Sequence, residues 1–158
     1  MNAKMVLTIA MVLLVFSSAL AGDKAPIKPS SKDKCPVCGM FISKYTDWTA
    51  QIIFKDGSYA MFDGVKDMMK YYLNLKKYNP SKKTADIDSV YVTDYYSLKM
   101  TDGLKAHYVY GSDTLGPMGR ELVPFEKETD AKEFLKDHKG RKLLMFKDIA
   151  PEIIKTLD

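Results

Sequence analysis

Cysteine and histidine are scarce in this chain, with two of each among 158 residues. Two cysteines, Cys35 and Cys38, cannot make a disulfide framework. A bridge between residues three apart closes too small a loop to stabilise a fold much. His107 and His138 lie far from that pair in sequence, so the closely spaced Cys and His ligands of a structural zinc knuckle are missing. Charge shows little bias. The 24 basic and 20 acidic side chains give a net charge of +4 and are spread along the chain. No basic stripe stands out, which removes nucleic acid as a partner. No Ser/His/Asp arrangement, catalytic carboxylate pair or phosphate-binding loop is evident, so hydrolase and nucleotide chemistry have no support. Apolar side chains are ample at 46%. That content suffices for one domain, or two very small lobes sharing a core, without staples.

The two cysteines stand in Cys35-Pro36-Val37-Cys38-Gly39-Met40. Thiolate and thioether sulfurs are soft donors and suit Cu(I) far better than Mg²⁺ or Ca²⁺. Gly39 leaves the backbone free to turn, so Met40 can swing its thioether toward the thiols, although methionine is also common core filler. A Cys-x-x-Cys pair has other uses. A redox dithiol opens a helix after a buried strand, where the helix dipole lowers a thiol pKa. Here a polar stretch precedes Cys35 and Gly39-Met40 follows Cys38. The pair could also have no task beyond packing. Sulfur chemistry favours copper among these readings.

Residues 1–21 read as a signal peptide. Lys4 gives a positive start, Met5 to Phe16 is an apolar run broken only by Thr8, and Ala19-Leu20-Ala21 fits a small-x-small cleavage site. A span of 17 residues from Met5 to Ala21 is at the short edge of a membrane-crossing helix, the competing reading. Export favours a Cys35–Cys38 disulfide unless a metal or a reductant protects the thiols. Residues 22–34, with Pro26, Pro29, two serines and four lysines, read as a flexible tether, so folding is expected to begin near Cys35.

Strand formers from Trp48 to Phe54, then Lys55-Asp56-Gly57-Ser58, then Tyr59 to Phe62 spell a β-hairpin. Asp63 is placed to cap a helix whose Val65, Met68, Met69 and Tyr72 share one face. The charged stretch Lys76 to Asp88, with Asn79-Pro80, reads as a lobe boundary. Strands are then expected at Val90–Tyr95, Ala106–Tyr110 and Glu121–Phe125. Asp130 and Glu133 form a capping-box pair before a second helix with Ala131, Phe134, Leu135 and His138 on one face. Gly140 ends it, Leu143–Phe146 is a short strand, and Asp148 opens a last helix. The predicted class is α+β, with two loosely repeated strand-strand-helix halves (35–80 and 88–158) around a largely antiparallel sheet. Met118, in Gly116-Pro117-Met118-Gly119, sits in a tight turn that suits a ligand better than a core side chain. His138 reads as a satisfied helix-face residue.

The chain resembles the NosL family of periplasmic copper-binding accessory proteins of nitrous-oxide reductase maturation. The resemblance rests on Cys35-Pro36-Val37-Cys38-Gly39-Met40, Trp48-Thr49-Ala50-Gln51-Ile52, Phe62-Asp63-Gly64 with Asp67-Met68, and Tyr91-Val92-Thr93-Asp94-Tyr95. It continues through Gly116-Pro117-Met118-Gly119-Arg120-Glu121-Leu122, Pro124-Phe125, Asp130-Ala131 and Phe134-Leu135. It implies a two-lobed fold over 35–158 that binds one Cu(I) through Cys35, Cys38, Met40 and Met118. It further implies a carrier, not an enzyme, whose partner is nitrous-oxide reductase or its maturation machinery. One departure is clear. Members commonly carry a lipidated cysteine after a Leu-Ala-Gly box, and this chain has Asp23 after Leu20-Ala21-Gly22. The expectation is a periplasmic protein, free or held to the membrane by an uncleaved signal segment. The alternatives are a periplasmic thiol-disulfide oxidoreductase using Cys35 and Cys38, or a soft-metal sensor or scavenger.

Overall fold

The Asp-Gly turn does what its sequence predicts. In the computed structural model, which describes residues 24–158, it joins β1 (Ala50–Phe54) to β2 (Tyr59–Phe62). The expected signal peptide, with Gly22 and Asp23, lies outside the described residues. Helix α1 (Val65–Leu73) follows, with the single-turn α2 (Leu75–Tyr78) behind it. The chain then returns as β3 (Ile87–Thr93) on the other side of β1, and β4 (Met100–Asp102) adds an edge. The sheet order is β2-β1-β3-β4, antiparallel throughout.

The second half repeats this path. Strand β5 (His107–Gly116) is central, β6 (Gly119–Phe125) pairs on one side, α3 (Glu128–Asp137) crosses, and β7 (Lys142–Met145) pairs on the other. The order β6-β5-β7 matches β2-β1-β3. A short α4 (Pro151–Lys155) closes the chain. The α+β class and the antiparallel pairing agree with the sequence reading. The repeated unit is strand-strand-helix-strand, and its strands form two sheets. The first sheet runs on to Asp102, so the boundary expected between 80 and 88 falls too early. Val90 and Val92 of β3 pair with Ile52 and Ala50 of β1, a long-range match that the charged stretch before β3 conceals.

Alternation along β5 divides the core. Tyr108, with Leu122 and Leu144, joins the larger core around β1 and α1. Val109, with Val123 and Phe125, packs on Ala131 and Phe134 of α3. Helix α1 touches β1 and β2 on one side and β6 and α4 on the other. It is therefore buried beyond its apolar face: Lys66 and Asp67 are covered along with Val65, Met68, Met69 and Tyr71.

Three capping expectations change. Gly64, not Asp63, precedes the first turn of α1, and no local side chain caps it. Glu121 of β6 does so from across the fold, its Oε1 accepting from Lys66 N at 2.6 Å. The Asp130/Glu133 box does not form, because α3 already starts at Glu128. Asp148 accepts from Met145 N at 3.0 Å and closes a 3-10 turn, leaving α4 to start at Pro151.

The expected tether is also docked from Lys24 on. Gln51, buried in β1, donates to Ile27 O and accepts from Ile27 N, both at 2.8 Å. Tyr91 donates to Lys24 O at 2.7 Å, and Lys24 N donates to Asp88 Oδ2 at 2.9 Å. Polar composition suggested a free segment, but the sheet offers polar side chains that pair with its backbone.

Candidate metal centre

The Cys-x-x-Cys segment is a closed loop fixed by its own backbone. Cys35 N donates to Met40 O, and Gly39 N donates to Cys35 O, both at 2.9 Å, while Lys34 and Phe41 bridge as antiparallel neighbours. Gly39 has φ +79°, in the left-handed region that glycine enters without a steric penalty. The amide N–H groups of Val37 and Cys38 face the Cys35 sulfur, and that of Met40 faces Cys38. Cys35 is buried, Cys38 is partly exposed, and both are free thiols.

The start of α1 supplies the opposite wall. Asp63 precedes the helix and Asp67 sits in its first turn, four residues on and therefore on the same side. The Cys38 thiol donates to Asp63 Oδ1 at 3.2 Å, and the Cys35 thiol donates to Asp67 Oδ2 at 3.4 Å. One donor atom from each of Cys35, Cys38, Asp63 and Asp67 lies within 4.8 Å of the other three. Asp63 Oδ2 is buried and has no hydrogen-bond partner. The Lys70 ammonium stands 3.7 Å from Asp67 Oδ1.

Both thiols are hard to ionise. Burial pushes Cys38 up to about 11 against the Met40 N–H, and the carboxylates of Asp63 and Asp67 add to the rise. Burial raises Cys35 further, while the Cys38 and Val37 N–H groups act in the opposite sense. The pair therefore enters any metal complex by exchanging protons for the ion.

The model of the NosL family matches residues 26–154. The chain belongs to the NosL family. It is 28% identical over 163 residues to the copper-binding lipoprotein NosL of Stutzerimonas stutzeri, covering 94% of this chain and 82% of that protein. The crystal structure of the copper chaperone NosL from Shewanella denitrificans overlays with a TM-score of 0.68, covering 83% of this chain and 99% of that one, at 24% identity. That likeness supports the NosL fold drawn above.

Among the residues singled out in the sequence, Cys35 and Cys38 meet within this NosL fold. Met40 is tied to them through its carbonyl. Met118 caps the β5–β6 turn with its side chain 45% exposed, and its carbonyl accepts from Lys66 Nζ of α1 at 2.8 Å. The turn is thus fastened to the helix that carries Asp67. His138 stacks on Phe134, 4.1 Å between ring centres, and pairs with Asp113 at 3.1 Å, the satisfied role expected of it. Asp63 and Asp67 are the additions. Their signal was a pair of carboxylates four apart at a helix start, obscured because an Asp before a helix reads first as a cap.

Proposed function

We propose that this chain is a periplasmic Cu(I) carrier that delivers copper for assembly of the copper-sulfide centre of nitrous-oxide reductase, a binding protein and not an enzyme. The supporting observation is the convergence of the Cys35 and Cys38 thiols in a loop that leaves Cys38 partly open to solvent. The S. stutzeri and S. denitrificans relatives are named for copper, and two sulfurs in one loop are the donors a soft monovalent ion selects. Cys35, Cys38, Met40 and Met118 are the ligands of this reading. Met118 is exposed on a turn anchored to α1, where a partner can take over the ion by stepwise ligand exchange. In this reading the 1–21 segment directs export to the periplasm, where the protein is free or, should the signal stay uncleaved, held at the membrane, with nitrous-oxide reductase or its maturation machinery as partner.

The raised thiol pKa values weigh against an oxidoreductase, which needs a thiolate near neutral pH. A competition titration of the reduced protein against a Cu(I) chelator tests the carrier reading. Cys38→Ser lowers the affinity by orders of magnitude with the fold intact, and Met118→Ala lowers it by at least about tenfold, the loss that even an outer-shell partner brings. Unchanged affinity in Cys38→Ser removes Cys38 from the site.

A further inference from the structure

The sequence denies Cys35 and Cys38 the two further cysteine or histidine ligands of a zinc site, and the fold supplies carboxylates instead. We propose that Cys35, Cys38, Asp63 and Asp67 form a four-donor site for a borderline divalent ion of the Zn²⁺ class. It shares its sulfurs with the Cu(I) reading and differs from it in the two oxygens. Zn²⁺ takes sulfur at about 2.3 Å and carboxylate oxygen at about 2.0 Å in tetrahedral geometry, which sets sulfur–oxygen edges of roughly 3.5 Å. The Cys38–Asp63 and Cys35–Asp67 pairs, at 3.2 and 3.4 Å, already have that spacing. All four donors fall within 4.8 Å of one another, so closing on an ion needs only a small contraction.

A second observation points the same way. Asp63 is almost wholly buried, yet its Oδ2 finds no donor. A buried acceptor without a protein partner has room for a water, a proton donor or an ion. Charge selects between ions. Two thiolates and two carboxylates carry four negative charges, and a divalent ion offsets more of them than Cu(I) does. Lys70, 3.7 Å from Asp67 and paired more closely with Asp158, offsets part of the remainder. Carboxylate oxygens are also poor partners for a soft monovalent ion and good ones for a borderline divalent ion. The step balances as Zn²⁺ plus two thiols giving a zinc dithiolate and two protons, with no change in oxidation state. Its consequence is discrimination: sulfur donors alone serve Cu(I), and the carboxylates let the same thiols hold Zn²⁺.

The test uses the reduced full-length mature protein, freed of metal and titrated with Co²⁺ as a spectroscopic stand-in. The expected result is a sulfur-to-cobalt charge-transfer band with tetrahedral visible bands, saturating at one Co²⁺ per chain. One equivalent of Zn²⁺ then abolishes it, and two protons are released per ion. Asp63→Asn and Asp67→Asn each weaken Zn²⁺ binding by about tenfold or more, with Cu(I) affinity held within about twofold. Absence of the charge-transfer band overturns the proposal. So does retention of Zn²⁺ affinity in both variants, or an equal loss for both ions. Circular dichroism checks the fold, and Asp67→Asn carries the test where Asp63→Asn does not fold. Wild-type Zn²⁺ binding without Cu(I) binding sinks the carrier reading and leaves this one standing; the reverse sinks only this one.

Discussion

Cys35 and Cys38 share a loop but not an environment, and burial separates their reactivity. The thiolate is the nucleophile in alkylation, so the rate follows the fraction ionised. With Cys38 pushed up to about 11, that fraction at pH 7 is very small, and Cys35 is both more buried and further raised. Iodoacetamide labelling of the metal-free protein is therefore slow at pH 7. The Cys38 rate rises nearly tenfold per pH unit from pH 7 to 10, and Cys35 stays unlabelled until the protein is denatured. Mass spectrometry of the labelled peptides checks this, and a fast neutral reaction at Cys38 contradicts it. At this scale the sulfur chemistry was legible, because a Cys-x-x-Cys-Gly-Met run carries its donors in sequence. The carboxylates facing it were not, because what Asp63 touches is Cys38, 25 residues earlier in the chain.

Among the elements, α1 holds the structure together around a buried carboxyl. Glu121 Oε1 accepts from Lys66 N at 2.6 Å and from Leu122 N at 2.8 Å, and any side chain at Gly64 would collide with its Oε2. The helix face Val65-Met68-Met69 was readable from its period, but this cap was not, since its donor and acceptor are 55 residues apart. Local rules offered Asp63 because they see only neighbours in sequence. Burial raises the Glu121 carboxyl from 4.5 to about 8, against the Leu122 and Lys66 N–H groups and the Lys66 ammonium. The folded state therefore holds a proton that the unfolded chain has lost. The stability this contributes is complete below about pH 4.5 and disappears as pH rises through 8. Glu121→Gln keeps the acceptor and cannot ionise. Its urea midpoint should stay flat relative to the wild type, whose stability falls between pH 5 and 8 by up to about 1.4 kcal/mol per pH unit from this group. Parallel slopes in the two proteins assign the proton elsewhere.

At the scale of the whole molecule, two units of one topology share a core, and residues 24–30 lie as a strap on the first of them. The first hairpin and the helices of both halves were visible in the sequence, and so was a loose repetition, but the long β5–β6 hairpin was not, since β5 runs on past Tyr110 to Gly116. The sheet boundaries were not, because pairing of β3 with β1 joins residues some 40 positions apart: Ile52 with Val90. The strap was hidden for a related reason. Its sequence lacks the apolar pattern of a core element, and it is held instead by backbone pairing to Gln51, a polar residue buried in the middle of β1. A thermodynamic cycle isolates that link. Gln51→Leu in the whole chain leaves both polar backbone groups of Ile27 unpaired and costs about 1–3 kcal/mol. In a chain beginning at Ser31 the strap is gone, and the same substitution costs nothing or stabilises slightly, since leucine suits the strand at least as well as an unpaired glutamine. The difference between the two effects is the coupling energy of strap and sheet. Chemical denaturation of the four proteins measures it, with hydrogen exchange at the Ile27 amide reporting the same link locally. A coupling near zero shows that the strap lies on the sheet without helping to hold it, and places the stability of the first unit in β1, β2, β3 and α1 alone.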